Sequence, residues 1–379
     1  LTEVMQSPGN GLPLRARTWH SLLATLPRLG TEHFPYKVLI GDESSMIDTD
    51  LAAAIFLARA AGTLVMLVGD TYQLAPVGHG KPLYDLIAAG LPYGELREIK
   101  RNSGGIVEAC AAIRDGQPWQ PADNLRLLES FSQSEAKNQI AAMLRTLKEY
   151  GAKGYDPIWH CQVLCTVNKK SPLSRQELNK ILQSELNVNG SIDGSPFRNG
   201  DKIVCLKNAF VPSVSFDESD PDATTNDRGE VYVANGELAE VIDAQPTFTV
   251  ARLNNPARTV KIPRGKSVAQ KDASDDESEE SMPSTGCNWD LGYALSAWKA
   301  QGSEWKVVIV MVDEYPGAVR LCTRELWYTN ISRAKELCIL IGKKDVIDRG
   351  CRVIGIGKRK TFLRERIFLE QAKRDLAEL

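Results

Sequence analysis

Short apolar runs alternate with stretches of helical periodicity in the first third of the chain. Residues 38–40 and 63–68 have the pattern of strands, and the Ala- and Leu-rich residues 50–61 between them have that of a helix. Strands that alternate with helices favour a parallel, doubly wound sheet. The pattern therefore predicts an α/β domain over residues 1–115, followed by a helical connection over 116–154.

A second set of such elements follows, so the predicted fold class is α/β with two parallel-sheet domains. Its strands are expected at 162–165, 307–312 and 337–341, with an amphipathic helix at 175–186. They place the second domain in residues 155–196 and 287–358.

Residues 197–263 change character between these two segments. Short alternating runs at 202–206, 238–242 and 248–253 are separated by Gly, Asn and Pro. This spacing predicts a small β-barrel inserted in the second domain.

Two segments are dominated by charge. Residues 264–286 include the run DDESEE and almost no apolar side chains, which predicts a mobile acidic loop, either a solvated insertion or a partner-binding segment. Residues 359–379 are predicted to form a charged terminal helix.

Composition argues against some classes of protein but does not identify a reaction. The formal net charge of -2 argues against a uniformly basic nucleic-acid coat, although one basic groove remains compatible with it. The eight cysteines form no C-x-x-C pair, which indicates reduced, buried thiols. No apolar stretch approaches the roughly 20 residues that cross a bilayer, and no signal peptide is apparent, so a cytoplasmic protein with no membrane partner is expected.

A carboxylate pair, Asp42 and Glu43, follows the apolar run at 38–40. An aspartate at the end of a parallel strand can hold Mg²⁺ against nucleotide phosphates, and the adjacent glutamate can activate the attacking water. The alternative is that the pair caps the next helix.

Further polar groups follow the next predicted strand. Because open α/β sheets bind ligands at the carboxyl ends of their strands, Gln73 is expected to face the same crevice and to sense a terminal phosphate or a positioned water. The alternative is an ordinary turn with Asp70. Arg101, in the segment 96–102 that precedes a helical run at 106–113, is a candidate arginine finger or else a surface arginine.

Two later segments complete the set. In residues 292–304 a polar helix is predicted to run into a glycine turn, and in 326–335 a helix presents Arg333 just before a buried strand.

Taken in order, these segments resemble a known family. GDESS at 41–45 is similar to motif II of superfamily 1 helicases of the RecD and Dda branch, GDTYQLAPVGHG at 69–80 to motif III, YALSAWKAQGSEW at 293–305 to motif V, and LWYTNISRAKEL at 326–337 to motif VI. ARTWHSLL at 16–23 and residues 161–187 extend the match. The resemblance implies two RecA-like domains that clamp ATP and movement 5′ to 3′ along single-stranded DNA.

The resemblance also implies roles for individual residues. Asp42 would hold Mg²⁺, Glu43 would be the catalytic base, and Glu304 would touch the ribose. The other nucleotide contacts would be Gln73, Arg101, Gln301, Gly302 and Arg333. The contacts to DNA would be Thr18, His20, Thr166, Asn168, Ser296, Trp298 and Lys299. Trp298 departs from the histidine common at its position, so base stacking and packing are both open to it.

Residues 24–36 fall where the family places a strand-separating wedge. The segment is short, with Arg28, His33 and Phe34 as candidate contacts, and an ordinary loop is the alternative.

The chain lacks the phosphate loop G-x-x-x-x-G-K-[ST] that such a site needs, and its first residue is Leu. An N-terminal truncation is therefore expected, with the first strand, the phosphate loop and its helix missing and weak ATP binding as the result. The host is expected to be bacterial or viral, and the partners are a duplex with a 5′ overhang and replication or recombination proteins.

Three alternatives stay open at this point. A non-enzymatic nucleic-acid-binding subunit could have lost its phosphate loop, and an RNA helicase would differ only in contacts to the 2′-hydroxyl. A nuclease is suggested only by the loose pattern of Asp85 with Glu98 and Lys100.

Overall fold

The computed structural model describes residues 17–27, 30–96, 104–149, 156–216, 229–254, 257–265, 285 and 287–377. The helices are α1 (Trp19–Thr25), α2 (Thr49–Ala58), α3 (Pro82–Ala88), α4 (Gly105–Arg114), α5 (Gln133–Glu149), α6 (Arg175–Leu186), α7 (Pro316–Leu321), α8 (Arg324–Ser332), α9 (Lys344–Cys351) and α10 (Leu363–Ala377). Within the described ranges, no helix is long and apolar enough to span a membrane.

The strands follow the same order. They are β1 (Val38–Gly41), β2 (Leu64–Leu67), β3 (Leu125–Leu128), β4 (Cys161–Cys165), β5 (Lys202–Cys205), β6 (Ala209–Phe216), β7 (Glu230–Val233), β8 (Leu238–Ala244), β9 (Phe248–Asn254), β10 (Ala257–Pro263), β11 (Trp289–Leu291), β12 (Ala294–Ser296), β13 (Trp305–Met311) and β14 (Ala334–Ile341).

The chain divides into two compact units. One, here called the discontinuous unit, holds Ala16–Glu129 together with Gln301–Leu379; the other, the continuous unit, is built around Ser130–Ala300. The domain boundaries derived from the sequence group residues 287–358 together and stay a prediction.

The discontinuous unit contains β1 and β2 as a parallel pair, with Val38 opposite Leu64. One face of this pair packs on a core formed by Leu26, Phe34, Leu39 and Ala58, against which the Trp19 ring of α1 also packs. Phe34 is only 1% exposed. The predicted contact of Phe34 with DNA is therefore wrong, because its ring fills the core beneath β1; Arg28 lies outside the described residues.

The opposite face of the β1–β2 pair is exposed. Side chains at alternate positions share a face of a strand, and those on this face are 44–57% exposed: Val38, Ile40, Leu64, Met66 and Val68. A parallel pair is normally covered on both faces, so this apolar face is unusual for a folded unit.

A second parallel set in the same unit consists of β13, β14 and β3, with β14 in the centre. Strands β13 and β14 are long and mainly apolar because most of their residues are covered on both faces, as expected for parallel sheets; Val308, Ile309 and Leu340 are buried. Helix α8 packs on β13 and β14, and α4 packs on α8.

The continuous unit combines a parallel pair, β4 and β12, with an antiparallel sheet. That sheet has the order β11-β5-β8-β9-β10-β6-β7, and all its strands except β11 lie in the region of the predicted small β-barrel. Helix α6 begins and ends where the pattern predicts, because its buried positions Leu178, Leu182 and Leu186 recur at helical spacing. The predicted α/β class, with parallel sheets and an added antiparallel one, is confirmed.

One predicted helix is wrong at its start, and the predicted helical connection holds a strand in addition to α5. Residues 294–296, expected to begin a helix, form the strand β12, because Ala294 and Leu295 are buried in register with Val163 and Leu164 of β4. The predicted helical connection over 116–154 contains β3, which is fixed by parallel pairing with β14. Both strands are short and depend on distant partners, so the local pattern does not reveal them.

Lys202 is a buried lysine in the antiparallel sheet. Its ammonium donates to the carbonyl oxygens of Ile158 (2.8 Å) and Cys161 (3.4 Å) and to Gln162 Oε1 (2.9 Å). Burial lowers the pKa of Lys202 to about 8 from 10.5, although the nearby Cys161 and Asp156 act in the opposite direction. The cost of burying the charge therefore outweighs the three hydrogen bonds.

This lowered pKa predicts a dependence of stability on pH. Between about pH 8 and 10.5 the unfolded state binds more protons at Lys202 than the folded state, so this residue's contribution to stability rises with pH. We expect the free energy of unfolding of wild type, minus that of Lys202→Met, to rise across that window in urea titrations. A difference that is constant with pH would contradict the lowered pKa.

Candidate functional site

The carboxylate pair lies in the loop that follows β1. Asp42 is exposed, and its Oδ1 accepts a hydrogen bond from the backbone N–H of Glu43 (2.9 Å). Glu43 has a φ of 51°, a left-handed conformation that costs a non-glycine residue roughly 1–2 kcal/mol. Such strain concentrates at functional sites, where the surrounding structure imposes it.

The loop that follows β2 lies against this first loop. The backbone N–H of Ser44 donates to the carbonyl of Val68 (2.8 Å). A Cβ on Gly69 would fall 2.8 Å from the backbone nitrogen of Ser45 and 2.9 Å from Leu83 Cδ2, so only glycine allows this approach. The two loops that carry Glu43 and Gln73 are thus fixed to each other.

Gln73 is buried in the second loop. The residue is 8% exposed, and no donor in the described part of the chain reaches its Oε1. A buried acceptor without a partner is costly and calls for a ligand or a water. Gln73 therefore has an open acceptor for a donor from outside the protein.

Three hydrogen bonds hold the residues on both sides of Gln73. The Tyr328 hydroxyl donates to Asp70 Oδ2 (2.7 Å), and the backbone N–H of Leu74 donates to Thr329 Oγ1 (3.0 Å). The Leu74 carbonyl accepts from Gln301 Nε2 (3.0 Å). The loop is consequently anchored to α8 and to the segment that precedes β13.

The same segment approaches the carboxylate loop. Gly302 has a φ of +76°, and a Cβ built on it would fall 3.9 Å from Glu43 Cγ. The structure thus brings Glu43, Gln73, Gln301 and Gly302 into one region of the discontinuous unit.

Arg333 and Glu304 are engaged within the protein. Arg333, the residue after α8, is 1% exposed and donates to the carbonyls of Thr329 (3.3 Å) and Ser303 (3.3 Å) and to Ser332 Oγ (3.3 Å). Glu304 forms an ion pair with Lys335. Each would have to exchange these partners in order to contact a nucleotide.

Arg101 lies outside the described residues.

Burial also raises the pKa of two groups near Asp70, the Tyr328 hydroxyl and the Cys110 thiol. Burial, followed by the charge of Asp70 and its hydrogen bond, raises the pKa of Tyr328. Burial raises the pKa of the Cys110 thiol to about 12, with Asp70 adding to the rise and Arg333 opposing it. Tyr328 therefore stays a neutral donor to Asp70, and Cys110 stays an unreactive thiol.

The candidate DNA contacts of the continuous unit gather at the ends of β4 and β12. Ser296 pairs with Cys165, so Thr166 and Ser296 lie at neighbouring strand ends, and both are buried. Trp298 and Lys299 follow in a half-buried turn. Asn168 is exposed in the loop before α6.

Lys299 is half-buried and contacts two loops that flank strands of the antiparallel sheet. Its ammonium donates to the Leu206 carbonyl (3.3 Å) and to Asn235 Oδ1. Burial lowers the pKa of Lys299 to about 8, and the nearby Arg175 charge adds to that lowering while Cys205 opposes it. A phosphate contact by Lys299 would require its release from Asn235.

The remaining two candidates belong to the discontinuous unit. Thr18 caps α1, because its Oγ1 accepts from the backbone N–H of Ser21 (3.1 Å), and His20 is exposed in the first turn. The reasoning from sequence did not identify Tyr328, Thr329 or Arg175 as site residues. Tyr328 and Thr329 lie within a recognised motif, but their partners Asp70 and Leu74 are more than 250 positions away.

Comparisons with known proteins bear on this arrangement. Residues 3–135 match the family model for an AAA domain, and residues 291–341 match that for a UvrD-like helicase C-terminal domain. The ATP-dependent RecD2 DNA helicase of Deinococcus radiodurans is 30% identical over 331 residues, which cover 85% of this chain. The RecD subunit of the RecBCD enzyme of Mycolicibacterium smegmatis is 25% identical over 91% of this chain.

The chain is a homologue of the RecD-like superfamily 1 helicases. This RecD-like chain spans 39% of the length of the Deinococcus relative and 59% of the mycobacterial one. Among solved structures, Pif1 helicase from Bacteroides in complex with ADP-AlF3 and single-stranded DNA matches 97% of this chain and 80% of its own, at 17% identity and a TM-score of 0.47.

Proposed function

We propose that this chain is the motor portion of an ATP-dependent helicase that moves 5′ to 3′ along single-stranded DNA. The observation that carries the proposal is the convergence of Glu43, Gln73, Gln301 and Gly302, linked by the hydrogen bond from Gln301 to Leu74. A carboxylate and an amide of this kind are suited to orient the attacking water in phosphoryl transfer.

Each residue in this region has a chemical task that suits its surroundings. The exposed carboxylate of Asp42 keeps one oxygen free of its bond to Glu43, and Mg²⁺ is commonly held by one or two carboxylates together with nucleotide phosphates. Asp42 would therefore hold Mg²⁺, which neutralises charge on the phosphates when it is bound. Glu43 would orient and deprotonate water, and Gln73 Oε1 would accept a hydrogen bond from that water.

The arginines and the ribose contact complete the proposed nucleotide site. Arg333 and Arg101 would stabilise charge that develops on the terminal phosphate, Arg333 after exchanging its carbonyl partners. Gln301, Gly302 and Glu304 would line the nucleotide. With no phosphate loop in residues 1–379, ATP binding by this chain alone is expected to be weak.

The track is proposed to be single-stranded DNA. Thr18, His20, Thr166, Asn168, Ser296 and Lys299 would contact its backbone, and Trp298, which is half-buried, would stack on a base. Contacts to phosphate carry no sequence information, which suits a protein that translocates.

The direction and the substrate are tested together in unwinding assays. The natural polypeptide that carries this chain is given duplexes with a 5′ or a 3′ single-stranded overhang, with ATP and Mg²⁺. We expect unwinding of the 5′-overhang substrate and little of the other, and slower movement when the overhang is RNA.

The opposite preference for overhang would contradict the direction, and a preference for RNA would favour the RNA helicase. Binding of single-stranded DNA without ATP hydrolysis would instead favour the non-enzymatic subunit. This second candidate is the weaker one, since a protein without hydrolysis has no need for an open acceptor at Gln73 in a loop that is packed against the loop of the strained Glu43.

A further inference from the structure

Arg175, at the start of α6, joins the loop before this helix to the strand β11. It is 7% exposed, and its Nη2 donates to Asp290 Oδ2 (2.8 Å) while its Nε donates to Asn168 Oδ1 (3.2 Å). Arg175 thereby links three segments of the continuous unit through one side chain. A guanidinium can do this because its nitrogen donors are held in a fixed plane.

The bond to Arg175 fixes the orientation of the Asn168 amide. A guanidinium carries donors only, so the amide must turn its oxygen toward Arg175. Its Nδ2 group, with two donors, is then directed away from Arg175. Asn168 is exposed, and no residue in the described ranges accepts from Nδ2. An exposed pair of donors suits an anionic oxygen such as that of a phosphate.

The backbone and the charge of the loop support the same assignment. The N–H groups of Arg175 and Gln176 donate to the carbonyls of Val167 (2.9 Å) and Asn168 (3.3 Å), which fixes the loop on the first turn of α6. The next residues, Lys169 and Lys170, are exposed, and Lys170 has a left-handed φ of 68°. The Asn168 donors thus lie in a firmly held loop of positive charge.

Asp290 compensates the buried charge of Arg175. The side chains of this ion pair are 8% and 17% exposed, so each would be costly to bury alone. The pair therefore keeps the guanidinium in place, and the guanidinium in turn keeps the amide of Asn168 in place.

We propose that Arg175 is a positioning residue for single-stranded DNA, which orients the Asn168 amide so that Nδ2 donates to a backbone phosphate. The proposal rests on the proposed function, in which Asn168 contacts DNA. Arg175 itself does not touch the strand.

The test measures binding of a fluorescent oligo(dT) to the chain by anisotropy, without nucleotide. Arg175→Lys keeps the positive charge near Asp290, but an ammonium cannot bridge Asp290 and Asn168 in the same fork. We expect Asn168→Ala and Arg175→Lys each to weaken binding about threefold to tenfold, the effect of one lost hydrogen bond. The double variant should bind no more weakly than either single variant, because both remove the same contact.

A matched control is available in the same unit. Arg258 forms a similar ion pair with Glu237 (2.5 Å), with side chains 3% and 25% exposed, and also donates to the Tyr232 carbonyl (3.1 Å), so these two bonds lie within the antiparallel sheet region. Arg258→Lys should therefore bind oligo(dT) like wild type, so that a general effect of altering a buried arginine is excluded.

A second variant covers the case in which Arg175→Lys destabilises the fold. Arg175→Gln with Asp290→Asn removes both charges together, so no buried charge is left without a partner. It should weaken binding to the same extent and leave the slope of log Kd against log salt unchanged. A direct contact of Arg175 with phosphate would instead reduce that slope by about 0.7.

The outcomes separate the inference from the proposed function. No binding of oligo(dT) by wild type would overturn both. Binding by wild type that Asn168→Ala leaves unchanged would overturn the inference alone. The inference also fails if Asn168→Ala weakens binding but neither Arg175 variant does, or if the effects of Asn168→Ala and Arg175→Lys add in the double variant.

Discussion

Replacing Glu43 by glutamine is expected to lower kcat for DNA-stimulated ATP hydrolysis about 10²- to 10⁴-fold in the natural polypeptide that carries this chain. That range is typical for the loss of a general base. Glutamine has the size and the unbranched side chain of glutamate, so the left-handed φ of 51° at this position costs both residues a similar amount. Binding of single-stranded DNA should stay unchanged, because Glu43 belongs to the nucleotide side of the proposed site.

The measurement is steady-state ATP turnover with and without saturating oligo(dT), together with the KM for ATP. Glu32→Gln is a suitable control, since Glu32 is an exposed glutamate in the same unit. This substitution removes the same charge as Glu43→Gln. A loss of less than tenfold in kcat for Glu43→Gln would show that Glu43 is not the catalytic base.

Replacing Asp201 by asparagine is expected to lower the free energy of unfolding by about 2–4 kcal/mol. The buried carboxylate of Asp201 accepts four hydrogen bonds. The donors are the Gln183 amide (2.6 Å), the Asn187 amide (2.7 Å), the Arg198 backbone N–H (2.6 Å) and the Tyr293 hydroxyl (2.8 Å). These bonds tie α6, the start of β5 and the residue before β12 together.

An asparagine at this position would turn an NH₂ group toward two of the four donors. Either orientation leaves buried donors without an acceptor, because each carboxylate oxygen accepts two of the bonds. The loss is measured in urea unfolding monitored by circular dichroism. Asp193→Asn, at an exposed aspartate nearby, should change stability by no more than about 0.5 kcal/mol. Equal stability of the two variants would contradict the role of Asp201.

Local patterns predicted those elements whose burial repeats within the element itself. Helix α6 was predicted to the residue because its apolar positions recur at helical spacing. The strands β12 and β3 were missed since their buried residues are few, and their pairing with β4 and β14 joins residues far apart in the chain. Burial created by distant pairing has no local periodicity to reveal it.

In the candidate site, too, some features were predictable from the sequence, and those that depend on distant residues were not. The order of the motifs predicted that Glu43 and Gln73 would follow neighbouring parallel strands, and β1 and β2 do pair in parallel. The inward position of Arg333 was not predictable, because it depends on carbonyls that become accessible only once β13 and α8 have packed. The link between Arg175 and Asp290 spans 115 positions and likewise has no local sequence signal.

The uncovered face of the β1–β2 pair is expected to promote association between molecules of the protein. Val38, Ile40, Leu64, Met66 and Val68 form a contiguous apolar patch on a protein whose net charge is only -2. Weak net charge gives little repulsion between molecules, and a patch of this kind promotes association. Solubility of the isolated chain is therefore limited by the surface beside the strand that carries Asp42, and a polar residue at Met66 would improve it while the fold beneath stays intact.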